Sequence, residues 1–182
     1  MLIVTDAWEL RKLEEVAKIT MGQSPSSTNY TDNPNNYILV QGNADIKDNK
    51  VVPRMWTTQV TKLADKGDII LSVRAPVGDV GMTNYKVVIG RGVAAIKGNS
   101  FIYQNLKRMK HCGYWAKFST GSTFESINSK DLRSAVILIP RLSEQQKIGT
   151  LFKHIDSLIT LHQRRTNLRY FYDIVQLFGW TL

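Results

Sequence analysis

The fold of this chain is decided by one stretch of sequence, Ala135-Val136-Ile137-Leu138-Ile139-Pro140-Arg141-Leu142-Ser143-Glu144-Gln145-Gln146-Lys147-Ile148. The apolar run 135–139 predicts a buried strand, and Pro140 ends it because proline lacks the backbone donor that a strand needs. Ser143 and Gln146 are three residues apart, as in a capping box, and indicate that a helix begins there. We therefore expect the architecture to change between residues 141 and 142.

The segment 142–182 is predicted to contain one long helix. Apolar side chains recur every three or four residues and form a single stripe: Ile148, Leu151, Ile155, Leu158, Leu161, Leu168, Tyr172 and Val175. A helix of about 30 residues would extend roughly 45 Å, too far to pack wholly on a small body. The chain's own body, a second copy or a partner helix could cover this stripe, and the length favours a partner helix.

The segment 1–141 is predicted to be a strand-rich domain. Its β-branched and apolar runs lie between turn-forming pairs such as Gly67-Asp68 and Gly78-Asp79, at 37–40, 69–73, 77–82, 87–89 and 93–96. Asn99-Ser100 is expected to cap a helix with Ile102, Leu106 and Met109 on one face. The predicted fold class is α+β, with a mixed strand-rich domain at 1–141 and a long C-terminal helix at 142–182.

Length and charge limit the classes of function. The 182 residues correspond to about one domain, and 24 Lys and Arg against 15 Asp and Glu give a net charge of +9, which favours a polyanionic partner. No apolar run approaches the roughly 18 residues of a membrane-spanning helix, so we expect no membrane insertion. The single cysteine, Cys112, fits a reducing cytoplasm, which is the location we expect.

Positive charge is concentrated where acidic residues are missing. Between Asp79 and Glu125 the chain has no acidic residue but carries Lys86, Arg91, Lys97, Lys107, Arg108, Lys110 and Lys117 among several aromatic residues. Basic, aromatic and short polar side chains together are typical of nucleic-acid contact. A solvated basic face over core aromatic residues is the alternative.

The motifs of catalysis and metal binding are weak. Asn33-Pro34-Asn35-Asn36-Tyr37 lacks the second proline of the clamp used by amino-methyltransferases, and Ile89-Gly90-Arg91-Gly92 lacks a third glycine at dinucleotide-binding spacing. Asp45-Ile46-Lys47 has the carboxylate-x-lysine form of a nuclease but no assignable partner acid. We therefore predict no catalytic residue, no metal site and no cofactor.

Three stretches, in this order and spacing, carry a family resemblance. They are Trp8-Glu9-Leu10-Arg11-Lys12-Leu13 followed by Gly22-Gln23-Ser24-Pro25-Ser26; Gly67-Asp68-Ile69-Ile70-Leu71-Ser72-Val73-Arg74-Ala75-Pro76-Val77-Gly78 with Ile89-Gly90-Arg91-Gly92; and Thr120-Gly121-Ser122-Thr123-Phe124 followed by the fold-deciding stretch and Ile155-Asp156-Ser157-Leu158-Ile159. The chain resembles the specificity (S) subunit of type I restriction–modification systems from about Trp8 to Gln163.

The resemblance implies a division of labour. It implies a target recognition domain that reads one half of a split site in double-stranded DNA, and a conserved helix that acts as a ruler and docks methyltransferase (M) subunits. Methylation and cleavage would belong to the M and restriction (R) subunits. Family members usually hold two recognition domains and two helices, so the resemblance covers half a typical subunit. Two copies are then expected to form a homodimer through an antiparallel coiled coil.

The matched motifs also supply candidate site residues. Arg74 and Arg91 could contact phosphate or guanine, or serve as structural arginines that bond loop carbonyls. Polar loop residues and one further cation complete the DNA-binding set: Gln23, Ser24, Gln41, Asn43, Lys97, Ser122 and Thr123. The helix seam is predicted to use Ile148, Leu151, Ile155, Leu158 and Leu168.

Two other functions remain open at this point. The chain could be an assembly or decoy piece that pairs with full-length S subunits. It could also, with weaker support, be a stand-alone DNA-modifying enzyme.

Overall fold

The structure is a computed structural model that describes residues 8–118 and 126–177, with side chains described as far as residue 166. It confirms the α+β class and the long C-terminal helix. The strands β1–β13 of the described residues are Glu9–Lys12, Lys18–Met21, Tyr30–Thr31, Tyr37–Val40, Ile46–Lys47, Lys50–Val51, Trp56–Thr57, Leu63–Ala64, Ile69–Ser72, Val80–Met82, Val87–Ile89, Val93–Lys97 and Val136–Ile139. The helices α1–α4 are Leu13–Val16, Ser100–His111, Ser129–Arg133 and Leu142–Leu177.

Two sheets and a layer of helices form the body. The six-stranded sheet has the order β2-β12-β9-β10-β6-β5, and the five-stranded sheet has the order β3-β7-β4-β11-β8. Each contains one parallel pair among antiparallel ones, β10 with β6 and β11 with β4. The six-stranded sheet lies in the middle, between the five-stranded sheet on one face and α1, α2 and α3 on the other.

Side chains along the central strands point alternately to the two faces of this sheet, and both faces are buried. In β9, Ile69 and Leu71 pack with the helices, whereas Ile70 between them packs with the five-stranded sheet. In β12, Ala94 and Ile96 face the helices. A strand that is buried on both faces appears in the sequence as a continuous apolar run, which is why the runs near 69–73 and 93–96 predicted strands correctly.

The predicted strand at 135–139 forms, but it is not a buried strand. Among the described strands, β13 pairs only with β1, in a two-stranded antiparallel sheet in which Leu138 is opposite Leu10. Ile137 is buried, whereas Val136 and Leu138 are each 42% exposed. One face of this small sheet packs on the core and the other faces outward, so the apolar run predicted more burial than the strand has.

Both predicted long helices are present, with one correction at a cap. Asn99 caps α2 as expected, since its side-chain oxygen accepts a hydrogen bond from the backbone N–H of Ile102 at 3.0 Å. The capping box predicted from Ser143 and Gln146 is wrong, because α4 begins at Leu142 and Ser143 already lies in its first turn. The carbonyl of Arg141 accepts the first helical hydrogen bonds.

Helix α4 leaves the body after about four turns. Gln145 and Gly149 are buried, Asp156 is half-buried, and every side chain from 157 to 166 is exposed. Leu151, Ile155 and Leu158 are 58%, 39% and 65% exposed. Among the described helices, none is both long and apolar enough to cross a membrane.

Candidate nucleic-acid interface

Four loops meet at one end of the two large sheets. Strands β2, β4, β9 and β11 end there and β12 begins there, so the loops are 22–25, 41–45, 73–79 and 90–92. Backbone hydrogen bonds join them: Gly22 N–H to the Val93 carbonyl (3.0 Å), Gly90 N–H to the Val40 carbonyl (2.7 Å) and Val73 N–H to the Gly92 carbonyl (2.9 Å). We call this cluster the four-loop surface.

Two glycines allow the loops to approach this closely. A Cβ atom on Gly22 would lie 2.0 Å from the Gly90 carbonyl oxygen, and one on Gly92 would lie 2.0 Å from the Gln41 carbonyl oxygen. Both clashes are with backbone, which cannot rotate away as a side chain can. The glycines of the Gly22-Gln23-Ser24 and Gly90-Arg91-Gly92 motifs therefore serve loop packing.

Several predicted site residues lie in these loops. The Ser24 hydroxyl accepts a hydrogen bond from the backbone N–H of Arg91 at 3.1 Å, which ties loop 22–25 to loop 90–92. The Gln41 side-chain oxygen accepts a hydrogen bond from the Tyr30 hydroxyl at 3.4 Å. Gln23 is exposed, and Asn43 is half-buried.

Asp45 holds the loop 41–45 together. The residue is 8% exposed, and its carboxylate accepts hydrogen bonds from the backbone N–H groups of Gln41 (2.7 Å) and Gly42 (3.2 Å). The Arg54 guanidinium lies 3.8 Å away and donates to the carbonyl of Ala44. The acid of the carboxylate-x-lysine motif is therefore engaged by its own loop, a role that its place in the sequence does not reveal.

The four-loop surface presents cations and amides together. Arg74 and Arg91 are exposed, and Arg54 borders a cavity of about 520 Å³ lined also by the loop 41–45, Ala75 and Pro76. Guanidinium groups suit phosphate oxygens and the acceptor edge of guanine, and amide side chains suit adenine or the sugar–phosphate backbone. Sequence reasoning missed Arg54, which lies 20 residues before Arg74 and belongs to none of the three family-like stretches.

Other predicted residues lie elsewhere. Lys97 is at the opposite end of β12 from loop 90–92, where its ammonium group is 2.5 Å from Asp65. That hydrogen bond lowers the pKa of Asp65 and raises the pKa of Lys97. Ser122 and Thr123 lie outside the described residues.

The predicted seam of α4 is divided between two environments. Ile148 packs partly buried against the chain's own core, whereas Leu151, Ile155 and Leu158 are exposed. The side chain of Leu168 lies outside the described residues.

The acid-free stretch of the sequence is not free of acids in space. Lys110 forms an ion pair with Asp79, and Lys107 lies 3.4 Å from Asp156 of α4. Both lysines are on α2, and their charges are partly balanced. Because Asp79 is the last residue of loop 73–79, Lys110 reaches the edge of the four-loop surface, whereas Lys107 pairs with α4. Among the described residues, no group of histidine, cysteine and acidic side chains could hold a metal ion.

Comparison with known proteins gives a consistent family. The family described as "Type I restriction modification DNA specificity domain" matches residues 5–168. A protein of Methanocaldococcus jannaschii assigned as the MjaX type I restriction enzyme specificity subunit is 36% identical over 167 residues, covering 88% of this chain and 39% of that protein. The MjaIX specificity subunit of the same organism is 22% identical, with 88% and 40% covered. The chain thus spans about two fifths of the length of these relatives.

Solved structures agree. The HsdS subunit from Thermoanaerobacter tengcongensis is 31% identical with a TM-score of 0.75, covering 90% of this chain and 41% of that one. A chain from a study of complex assembly and conformational transition of the type I R-M system is 30% identical with a TM-score of 0.80, covering 97% and 45%. Since the family match covers most of the sequence and the fold agrees, the chain belongs to the specificity-subunit family of type I restriction–modification systems.

Proposed function

We propose that this chain is a sequence-specific DNA-binding specificity subunit that reads one half of a split target. In this proposal it positions an M subunit, and through it an R subunit, and is itself non-catalytic. It would act in the cytoplasm, where the DNA is. The segment 1–141 would be the recognition domain and 142–182 the element for dimerisation and docking of the M subunit.

The observation that carries the DNA-binding part is the four-loop surface. Arg74 and Arg91 project from loops whose backbones are fixed to each other, and Gln23, Gln41 and Asn43 lie in the same loops. Fixed loops matter because readout of base edges requires donors and acceptors at defined positions. The acidic side chains in these loops already have partners: Asp45 accepts from backbone amides of its own loop, and Asp79 forms an ion pair with Lys110.

Titration with salt tests this surface. Duplexes with randomised positions would be bound by the wild type, Arg74→Ala, Arg91→Ala and Lys66→Ala at several salt concentrations. Removing an arginine that contacts a phosphate should reduce the magnitude of the slope of log K against log salt by about 0.9. Lys66 is the matched control, because it is exposed and lies before β9, at the opposite end of that strand from Arg74.

If the three substitutions change the salt slope and the affinity equally, the DNA-binding surface is not the four-loop surface. Affinity of the wild type that does not change between low and moderate salt would refute DNA binding through ion pairs. If the wild type selects particular DNA sequences and Arg91→Ala does not, then Arg91 contacts bases and not only phosphates.

The exposed apolar side chains of α4 support a partner helix. Leu151 and Leu158 are more than half exposed in the single chain, and an apolar stripe on a helix that leaves the body is costly in water. We infer that a second copy covers it, in an antiparallel coiled coil that gives a homodimer. Light scattering of the wild type and of Leu151→Glu with Leu158→Glu tests this: the wild type should be a dimer and the double variant a monomer with an unchanged circular dichroism spectrum.

A reconstitution distinguishes the other hypotheses. The chain mixed with an M subunit and S-adenosylmethionine should give methylation that depends on DNA sequence. If the chain instead binds full-length S subunits and supports no methylation, it is an assembly or decoy piece. Turnover by the chain alone, with Mg²⁺ or S-adenosylmethionine, would indicate a stand-alone enzyme.

A further inference from the structure

Helix α4 contacts the body in two regions, one near its start and one around Asp156, and a cavity borders the turn between them. The first fastening is close packing near its start: Gln145 accepts a hydrogen bond from the Asn99 side chain at 2.9 Å and donates one to the Pro140 carbonyl at 2.9 Å. One turn later, a Cβ atom on Gly149 would lie 2.9 Å from the Ser100 Cβ, so α4 crosses the start of α2 at the closest possible distance.

The next turn of α4 is only partly covered by the body. A cavity of about 780 Å³ lies beneath it, lined by Trp8, Phe101, Ile148 and Phe152 among others. Phe152 is 43% exposed and faces this cavity, so it gives the helix little support. Side chains that border a cavity make fewer contacts than side chains in a packed interior, so this turn is held less firmly than the first.

Beyond the cavity the second fastening is a single side chain. The Asp156 carboxylate accepts a hydrogen bond from the Gln104 amide at 2.8 Å and lies 3.4 Å from the Lys107 ammonium group, both on α2. Its charge reaches further into the body: burial raises the pKa of Tyr103 to about 12, and the charge of Asp156 adds to that rise. From 157 to 166 every side chain is exposed, so Asp156 is the last point of contact among the described side chains of α4.

We propose that Asp156 is a positioning residue which, through Gln104 and Lys107, fixes the direction in which α4 leaves the recognition body. Without it the helix can pivot about the close contact at Gly149. At 1.5 Å per residue, a swing of about 10° displaces residue 163 by roughly 4 Å and residue 177 by roughly 7 Å. Because DNA rises about 3.4 Å per base pair, the second value is about two base pairs. If the proposed function holds, Asp156 therefore limits the spacer length between the two half-sites.

The direction of the helix can be measured without DNA. Spin labels on the native Cys112, which is exposed at the end of α2, and on Gln163→Cys report the distance between body and helix in the full chain. The wild type should give a narrow distribution. Asp156→Ala should broaden it by several ångström, and the charge swap Lys107→Asp with Asp156→Lys should narrow it again.

Controls separate positioning from folding. Asp156 has a 42% exposed side chain, so Asp156→Ala should keep the circular dichroism spectrum and the melting temperature of the wild type. Ser157→Ala changes the next residue, which is exposed and donates its described side-chain hydrogen bond to Lys153 of the same helix, and should leave the distribution unchanged. A distribution for Asp156→Ala as narrow as that of the wild type, or no narrowing by the charge swap, overturns the proposal.

A second measurement addresses the spacer. Binding to a selected target would be compared with binding to the same duplex with one or two base pairs added to or removed from the spacer. The wild type should lose affinity at least tenfold, and Asp156→Ala should lose it only a few fold. If neither protein binds any duplex, the proposed function fails, whereas the spin-label distances still decide the role of Asp156. An equal loss for both proteins overturns the proposed role in spacer length.

Discussion

The close approach of loops 41–45 and 90–92 predicts that Gly92→Ala severely destabilises this protein. A Cβ atom at position 92 would lie 2.0 Å from the Gln41 carbonyl oxygen, where an ordinary contact needs more than 3 Å. One of the two backbones must therefore move by more than 1 Å. Neither can do so freely, because the Gly92 carbonyl accepts from Val73 N–H at 2.9 Å and Gly90 N–H donates to the Val40 carbonyl at 2.7 Å.

The magnitude follows from two contributions. Overpacking a well-packed site costs about 1–3 kcal/mol, and each backbone hydrogen bond weakened by the shift adds about 1 kcal/mol. We expect the free energy of unfolding to fall by about 3 kcal/mol. For a chain of this size that corresponds to a melting temperature lower by about 6–12 °C.

Gly42→Ala is the matched control for Gly92→Ala. Gly42 lies in the same pair of loops, but a Cβ atom there has no neighbour within 4 Å, and its backbone is extended at φ −176°. Its substitution should change stability by less than about 0.5 kcal/mol. Both variants would be melted by circular dichroism and unfolded in urea. If Gly92→Ala melts within 2 °C of Gly42→Ala, in contrast to the estimate above, the packing of these loops is not as the structure describes it.

Three further predictions concern single side chains. Asp45→Ala leaves two backbone amides of its loop without their acceptor, and we expect a loss of about 1–3 kcal/mol in urea unfolding together with weaker duplex binding. Tyr103→Phe should make stability less sensitive to pH between about 10 and 12, because a raised folded pKa means that wild-type stability falls as pH rises through that window. Asp65→Asn should flatten the acid limb below about pH 4, since the pKa of Asp65 is lowered by Lys97 and that contribution is lost as pH falls.

The sequence predicts helices and strands best where the local pattern of apolar residues fits only one type of secondary structure. Strands β9 and β12 are apolar on both faces because helices cover one face and a second sheet covers the other, so a simple apolar run is sufficient evidence. Helix α2 is equally legible, since Asn99 marks its start and Ile102, Leu106 and Met109 mark its buried face. These features are local in the chain.

Features that depend on distant partners were not predictable. The run 135–139 could not show that it pairs with β1, more than 120 residues earlier, or that Val136 and Leu138 would face outward. Likewise, the carboxylate-x-lysine spacing made Asp45 resemble a nuclease acid. Its hydrogen bonds to backbone amides form only when the loop has folded, so the sequence could not show them. The same applies to Arg54, which enters the four-loop surface through the fold alone.

The charge pattern illustrates the difference most clearly. The absence of acids between Asp79 and Glu125 correctly indicated an excess of positive charge, but it did not locate the charge that is free to bind. Lys107 and Lys110 meet acids from other parts of the chain, whereas Arg74 and Arg91 stay exposed on the four-loop surface. Net charge describes long-range attraction, and only the fold decides which cations remain for contact.

The central sheet joins the two parts of this protein mechanically. Strand β9 leads into loop 73–79, strand β12 begins at loop 90–92, and the side chains of both strands pack against α2, on which α4 rests. Because such a core has few voids and is hard to deform, the loops cannot turn independently of α2. The direction of α4 relative to the loops is then set mainly at the junction of α2 and α4, with a further hydrogen bond from Trp8 to Glu144 near the start of α4. Under the proposed function, substitutions in the loops would change which bases are read, while the junction would keep the geometry in which they are read.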